Sequence, residues 1–565
     1  MENVKKKKDF VKNACSIGVD FGTNSVRAIV ADVSTGKERG SGVFNYPTGR
    51  EGIILDPSNH NLARQSPLDY IKGLRTSIKS ALKQASVGGV GPDCIIGIGV
   101  DTTGSTPIPV DRNNRPMCAN KKHNKNPNAF AWLWKDHTSI TEAARITEAA
   151  KKIRPEYLKK CGGAYSSEWY WAKLLHCAET NPEFFDETYA WIEMQDYIPA
   201  ILCGITRPED IVPGVCAAGH KAMYNEAWGG YPDDKFLAKL NKKLVTAKSR
   251  IPGKAFAVDT IAGKLCGEWA KKLGLPSGTP VATGAFDAHL GAVGSGIREG
   301  TLVKIVGTST CDIMVAKNTG KISDIPGVCG MVDGSVIPGY TAIEAGQSAV
   351  GDIFRWFANT MCEGDDSMQA ALTNKARVLK PGESGLVALD WNNGNRTILV
   401  NPELTGLILG MTLQTPRDHV YRALLEATAF GALTIINRIE EYGVKIKKVI
   451  CCGGISEKND LFMQIYADVL NRKIYISKSA QTCALGAAIA GAVAGGAYKT
   501  IDSAIPKMTG VKPKVFAPIR KNALVYKRLY KVYKRLHDAF GVSEKTHVHG
   551  VMKELLEIKR LVLQR

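Results

Sequence analysis

SIGVDFGTNSVRAIVAD, residues 16–32, decides how the rest of the chain is read. Two runs that favour β structure, 17–19 and 26–30, flank a short polar segment made of Gly22, Thr23, Asn24 and Ser25. The pattern predicts a β-hairpin with a small polar tip. Asp20 closes the first strand. Glycine removes side-chain bulk, and amides and hydroxyls at the tip can donate to anionic oxygens, so a polyphosphate could lie against it. An ordinary hairpin with a polar tip fits this stretch equally well, and the remaining sequence must choose between them.

The same chemistry recurs in TLVKIVGTSTCDIMVA, residues 301–316, whose tip is Gly307, Thr308, Ser309 and Thr310. Two such tips, one early in each half, predict a duplication of architecture, although identity between the halves is slight. Between them lies VATGAFDAHLGAVGSG, residues 281–296, in which Asp287 is the single acid among small and apolar residues. A carboxylate there would be partly desolvated, which raises its pKa toward the range useful for taking a proton. A helix N-cap is the alternative use of such an aspartate.

Further out, the apolar run 95–100 empties into Asp101, Thr102, Thr103, Gly104 and Ser105, a polar loop of the kind that binds small hydroxylated ligands at strand ends. The sequence predicts helices over 67–85, 169–175, 191–202 and 263–273, and polar helical sequence over 120–160 with Trp132, Trp134, Lys135, Asp136 and His137 clustered. His220 and Lys221 are expected in a glycine-containing loop over 213–225. Glu344 opens EAGQSAVGDIF, whose G-x-S-x-x-G spacing is one residue too long for a nucleophile elbow.

The strongest helix signal follows Thr415, expected as N-cap with Pro416 at the first helical position and Gly443 at the stop. A strand over 449–452 then runs into Gly453, Gly454, Ile455 and Ser456 and a helix over 457–471, where backbone could lie flat against a planar ligand or a phosphate. The alanine- and glycine-dominated run 480–497 gains little from lipid and reads as a tightly packed internal helix completing the second domain. Basic helical sequence over 522–540 carries Tyr526, Tyr530 and Tyr533 at packing intervals.

The 565 residues exceed one ordinary core and predict two or more domains. MENVKKKKDF at the start has lysines but no apolar run after them, unlike a secretory signal. Fourteen cysteines without C-x-x-C predict free thiols and a cytoplasmic protein. The formal charge of +20 comes from scattered lysines without interleaved aromatics, which argues against a nucleic-acid partner and for a solvated surface that can also steer anionic ligands. Neither a G-x-x-x-x-G-K-[ST] loop nor a G-x-G-x-x-G turn after a strand is present, and the histidines lack metal-ligand spacing.

Taken in order, DFGTNSVR (20–27), ATGAFDAHLGAVGSG (282–296), KIVGTST (304–310) and CCGGISEKNDLFMQIYADVL (451–470) resemble the FGGY carbohydrate kinases. The resemblance spans nearly the whole chain. It implies an α/β, two-domain actin-like ATPase fold, ribonuclease H-like, with a cleft between the domains. The implied division is 14–296 for the N-terminal domain, 297–510 for the C-terminal domain, and 511–565 for a basic helical tail packed on the latter. ATP and Mg2+ are the implied cofactors and a small sugar the partner; a membrane is not expected, and a homodimer is left open.

By the same resemblance, Gly22, Thr23, Asn24, Ser25 and Arg27 would bind phosphate from one side, and Gly307, Thr308, Ser309 and Thr310 from the other. Asp20 would help hold Mg2+ through water. Gly453, Gly454 and Asn459 fall where the family binds adenosine, and Asp287 aligns with its general base. LWKDHTS (133–139), Lys221 after GH, and EAGQSAVGDIF point to the family's ketopentose kinases, in which the lysine and Glu344 help bind sugar beside Thr103 and Gly104. The implied reaction moves the γ-phosphoryl of ATP to the terminal 5-hydroxyl of L-ribulose. Thr102 stands where a bulkier residue is usual and Gly104 where alanine is common, so D-ribulose, xylulose, ribitol or glycerol are alternative substrates. A non-catalytic actin-fold ATPase ranks below these.

Overall fold

Strand Cys15–Phe21 pairs antiparallel with Ser25–Asp32 across the first polar tip and parallel with Ile95–Thr102 on its other side. Around this centre the first sheet runs in the order Ile261–Lys264, Pro280–Ala282, Ile95–Thr102, Cys15–Phe21, Ser25–Asp32, Glu38–Asn45, with the short strand Ala285–Phe286 also joined to Ile95–Thr102. The second sheet repeats the arrangement. Thr301–Val306 pairs antiparallel with Thr310–Lys317 and parallel with Lys448–Cys452. Tyr340–Ala345 and Ile474–Ser477 extend it where Glu38–Asn45 and Pro280–Ala282 extend the first. The duplication expected from the two tips is therefore one of strand order and direction. These features belong to a computed structural model that describes residues 13–320, 322–542 and 546–563. The reading of the first ten residues, and parts of the 511–565 tail, lie outside the described residues.

Apolar side chains fill both faces of the central strands, as parallel-paired strands covered by helices require. Every residue of Cys15–Phe21 is buried. The alanine- and glycine-rich segment forms the helix Thr482–Ala494 and is almost wholly buried, but it does more than complete the second domain. It lies on the first sheet and against the helix Asp287–Gly294. A Cβ at Gly18, Gly99 or Gly486 would stand 1.8, 1.9 and 1.8 Å from carbonyl oxygens of Ala484, Ala487 and Leu290 respectively. Backbone meets backbone there, which explains the composition. A helix that leaves strand Ile474–Ser477 of the second sheet thus grips the first.

Several local readings are corrected. Residues 213–225 are not all loop: His220 and Lys221 end the helix Val215–Lys221. Residues 191–202 divide into the end of strand Ala190–Glu193 and the helix Met194–Cys203. Residues 263–264 belong to strand Ile261–Lys264, and the helix begins only at Gly267. Pro416, not Thr415, is the N-cap of Arg417–Glu441; its extended backbone suits a residue lacking an N–H. The helix expected over 457–471 breaks at Asn459 into Gly454–Lys458 and Asp460–Leu470, because the Asn459 side chain caps the second piece. Helices Ile140–Ile153 and Pro155–Lys159 fill most of the second half of the segment expected to be helical over 120–160, and the short strand Ala131–Trp132 lies in its first half.

Helix Arg520–Gly541 packs Tyr526 and Tyr533 into the second core. Tyr533 donates to Asp390 at 2.9 Å, and Tyr526 meets both Glu426 and Arg422. All fourteen cysteines are free thiols. Among the described residues no helix is long and apolar enough to cross a membrane.

Candidate active site

The first tip is closed by Gly22 N–H donating to Ser25 O at 3.0 Å, so that amide is spent within the hairpin. Among the described residues no backbone carbonyl takes the amides of Thr23 and Asn24. Three outside contacts brace the tip. Trp134 Nε1 donates to Thr23 Oγ1 at 3.1 Å, Gln65 Nε2 to Thr23 O at 2.6 Å, and Asn24 Nδ2 to Glu51 O at 2.8 Å. A braced loop has less freedom to lose when a ligand arrives. Arg27 sits opposite Asp20 in the hairpin register, with its charge acting on that carboxyl.

The second tip is built alike, with Gly307 N–H donating to Ser309 O at 2.9 Å. Its Gly307 and Thr308 carbonyls cap the start of helix Gly351–Trp356, accepting from Gly351 and Asp352 at 3.1 Å each. Thr308 is exposed and Ser309 half-buried, whereas Thr310 is buried. The Thr310 hydroxyl accepts from Gln347 N at 3.0 Å and from Lys304 Nζ at 3.4 Å. Thr310 therefore holds the tip from beneath, and Thr308 and Ser309 present its open face.

Three acids gather at the ends of adjacent strands. Asp20 and Asp101 are register partners on Cys15–Phe21 and Ile95–Thr102. Asp287 is the first residue of the helix that follows Ala285–Phe286, a strand itself paired with Asp101 and Thr102. Phe286 rather than Asp287 occupies the N-cap, and Asp287, one position further on, accepts from Ala288 N with one carboxylate oxygen at 2.6 Å. Burial, followed by the Asp20 charge, pushes the Asp287 carboxyl up to about 7. A carboxylate so placed takes up a proton near neutrality more readily than an ordinary aspartate does.

Lys221 and Glu344 also act on Asp287, and Lys221 Nζ lies 3.1 Å from Glu344 Oε1 and 3.3 Å from Glu344 Oε2. Burial alone would raise the Glu344 carboxyl, but Lys221 and His220 overcome it and hold Glu344 well below the usual carboxylate range. His220 Nδ1 is 3.1 Å from Glu344 Oε2, and its Nε2 meets Ser335 Oγ and His289 Nε2, each at 3.0 Å. His289 stands on the helix that Asp287 begins.

The loop containing Thr103 and Gly104 is fixed from both sides. Glu193 accepts from Ser105 Oγ and Thr106 N, both at 2.8 Å, and Lys173 Nζ donates to Ser105 O at 2.7 Å. Thr103 Oγ1 lies 3.2 Å from Thr106 Oγ1. A Cβ at Gly104 would meet nothing within 4 Å, so open space adjoins the loop there.

Gly453 and Gly454 serve different needs. Gly453 has φ of 97°, and a Cβ there would lie 2.3 Å from Val306 O, so the backbone itself demands glycine. A Cβ at Gly454 would meet nothing within 4 Å, leaving a bare face at the helix start. Asn459 Oδ1 accepts from Phe462 N at 3.0 Å, which commits that oxygen to capping.

Sequence reasoning named Asp101 and His220 without giving either a role of its own, and it passed over Lys173, Glu193 and His289. Asp101 had a readable signal, an acid closing an apolar strand as Asp20 does. Lys173 and Glu193 lie in apolar surroundings where a single charge gives no hint of its partner; only the fold supplies the three carbonyls around Lys173.

Residues 15–294 match the FGGY family of carbohydrate kinases, N-terminal domain, and residues 302–495 match its C-terminal domain. The chain is 40% identical over 541 residues to a ribulokinase of Vibrio parahaemolyticus, covering 92% of this chain and 95% of that protein. It is also 40% identical over 565 residues to a ribulokinase of Halalkalibacterium halodurans, covering 97% and 98%. A ligand-bound xylulose kinase structure from Lactobacillus acidophilus shares the fold at a TM-score of 0.76 and 20% identity, over 94% of this chain and 99% of that one. A Plasmodium falciparum glycerol kinase structure with ADP does so at 0.73 and 19%, over 92% and 98%. The duplicated sheets, the two polar tips and these matches have one meaning: the chain belongs to the FGGY family of carbohydrate kinases.

Proposed function

We propose that this kinase transfers the γ-phosphoryl of ATP to the terminal 5-hydroxyl of L-ribulose, giving L-ribulose 5-phosphate for L-arabinose catabolism. The chemistry rests above all on Asp287, whose carboxyl is raised to about 7 and feels the charges of Asp20, Glu344 and Lys221. The choice of sugar is supported by 40% identity to ribulokinases over nearly the whole of both chains.

Phosphoryl transfer needs positioning and charge stabilisation more than covalent help. The amides and hydroxyls of Thr23, Asn24 and Ser25 on one tip, and of Thr308 and Ser309 on the other, would hold phosphate oxygens. Gly22, Gly307 and Thr310 shape those tips, and Arg27 adds positive charge beside Asp20. Gly454 offers its bare face to the adenosine, with Gly453 and Asn459 shaping the turn beneath. Asp287 would take the proton of the sugar hydroxyl, an effect typically worth about 10²–10⁴ in rate. Glu344 accepts and Lys221 donates, which suits sugar hydroxyls and a keto oxygen, while Thr103 and Gly104 line the sugar's other side. The hard oxygen donors at Asp20 fit Mg2+, held through water. Bound there, the ion would neutralise charge on the transferring phosphate.

The working domain division remains 14–296, 297–510 and 511–565; one sheet centres on each of the first two segments, and strand Val511–Phe516 of the third joins the second sheet at its edge beside Ile474–Ser477. Fourteen free thiols suit a reducing cytoplasm. A different ketopentose or polyol is the second reading, favoured by the open space beside Gly104. ATP turnover measured against L-ribulose, D-ribulose, xylulose, ribitol and glycerol tests the choice. The highest kcat/KM is expected with L-ribulose, and a higher value with any other sugar replaces the assignment.

A further inference from the structure

Asp101 is the anomaly among the buried acids. Its side chain is fully buried, and among the described residues no amide, hydroxyl or cationic donor reaches either carboxylate oxygen, which leaves only a proton shared with Asp20. Several other buried acids among the described residues do receive donors. Asp312 receives Lys304, Glu344 receives Lys221, Glu426 receives Arg422 and Tyr526, and Glu193 receives Ser105 and Thr106. A buried carboxylate without a donor is costly, and an acid kept in that state implies a compensating group that the side chains do not supply.

The neighbours make the deficit larger. Asp20 lies beside Asp101 in register, near enough for the two carboxyls to share a hydrogen bond, and Asp287 acts on Asp101 from the start of the helix that follows the strand on its other side. Burial comes first and these two acids next among the influences on Asp101, and all of them disfavour its charge. The positive side chains nearby act elsewhere: Arg27 on Asp20, and Lys221 on Asp287. Parallel neighbours in register project their side chains to the same face of the sheet, so Asp20 and Asp101 address one place. That place lies at the base of the first polar tip.

We propose that Asp101 is the second carboxylate of the divalent-cation site whose first carboxylate is Asp20. A hard dication prefers oxygen donors and would bring to Asp101 the positive partner that no side chain provides. The inference deepens the functional reading and rests on its assignment of Asp20. It also assigns the three acids distinct duties: Asp20 and Asp101 serve the cation, and Asp287 alone is left to take a proton.

The test is Mn2+ binding, followed by the electron paramagnetic resonance of free Mn2+, with and without ADP, for the full-length wild type, Asp20→Asn and Asp101→Asn. Loss of a supporting carboxylate typically weakens a metal by about 10–100-fold, and Asp101→Asn is expected within that range. Metal-free ADP should bind Asp101→Asn at least as tightly as wild type, since a negative charge is removed. If Asp20→Asn weakens Mn2+ and Asp101→Asn leaves its affinity at the wild-type value, the second-carboxylate assignment is overturned and that of Asp20 stands. If both variants bind Mn2+ like wild type, the reading of Asp20 falls and this inference with it. Asp101→Thr, a residue at home in a strand, repeats the measurement should thermal melting show that Asp101→Asn is not folded.

Discussion

Lys221 Nζ stands 3.1 Å from Glu344 Oε1, an ion pair joining the end of a helix in the first half of the chain to a strand of the second sheet. Both side chains are buried, and His220 and His289 close around the same carboxylate. The pair therefore has two duties that can be separated. As structure, removing one partner leaves the other charged and buried, and Glu344→Ala is expected to cost about 3–5 kcal/mol in chemical denaturation. As a sugar site, it must be polar. The double variant Lys221→Met, Glu344→Leu should regain most of that stability while sugar binding, read by calorimetry, stays lost. Recovery of sugar binding together with stability would remove the pair from the sugar site.

Asp287 gives a pH prediction with a definite sign. Its carboxyl is raised to about 7 by burial and by Asp20, and only the deprotonated form can accept the sugar hydroxyl's proton. The kcat/KM for sugar should therefore fall as pH drops through about 7 and level off above it. Asp287→Asn should lose roughly 10²–10⁴ in kcat, keep ADP affinity within about threefold, and lose the acidic limb from what activity remains. A variant that retains wild-type kcat would end the base assignment.

Much of this was legible in the chain because it is written locally. Gly22 to Ser25 and Gly307 to Thr310 are short turns between β-branched runs, and their chemistry does not depend on distant partners. Asp287 could be singled out because its neighbours are small and apolar, which is itself the cause of its raised pKa. What depends on distant contacts was not legible. Lys221 was placed in a loop because glycine precedes His220, yet a Cβ at Gly219 would lie 2.3 Å from Val332 Cγ1, so that glycine permits a helix to approach a strand. The helix Thr482–Ala494 was recognised as internal, but its grip on the first sheet appears only when Gly18, Gly97 and Gly99 are seen opposite it.

Lys173 yields a prediction about the sugar loop. Its ammonium donates to Ser105 O at 2.7 Å, Leu133 O at 2.9 Å and Trp132 O at 3.2 Å, and burial lowers its pKa to about 7. It thereby ties the Thr103–Gly104 loop to the segment from which Trp134 reaches the Thr23 hydroxyl. Lys173→Met keeps the stem and removes the donors. Leu133 O keeps a second donor, Asp136 N at 2.9 Å, and a carbonyl left without a donor costs about 1–3 kcal/mol, so the protein should remain folded but less stable. The sugar KM should rise about tenfold or more, with a smaller change in the KM for ATP, since misplacing a substrate-positioning loop by 1 Å can cost about 10² in rate. Equal changes in both constants, or none, would show that the lysine supports the fold alone.

Gly99 provides the sharpest test of how the two halves are joined. A Cβ there would lie 1.9 Å from Ala487 O, a backbone atom of a buried helix that cannot swing away as a side-chain tip could. Gly99→Ala must therefore push Thr482–Ala494 off the strand, and overpacking of this kind costs about 1–3 kcal/mol or more. The same helix meets Asp287–Gly294 at Gly486, where a Cβ would fall 1.8 Å from Leu290 O. A shift produced at Gly99 is thus carried to the helix that begins with Asp287. The expected result is a lower melting temperature together with a loss of kcat greater than the fraction unfolded explains, while Gly274→Ala in an exposed turn, with φ of 72° and nothing within 4 Å, should cost stability through backbone strain without that excess loss. If Gly99→Ala lowers kcat only in proportion to the unfolded fraction, the helix holds the halves together without positioning Asp287.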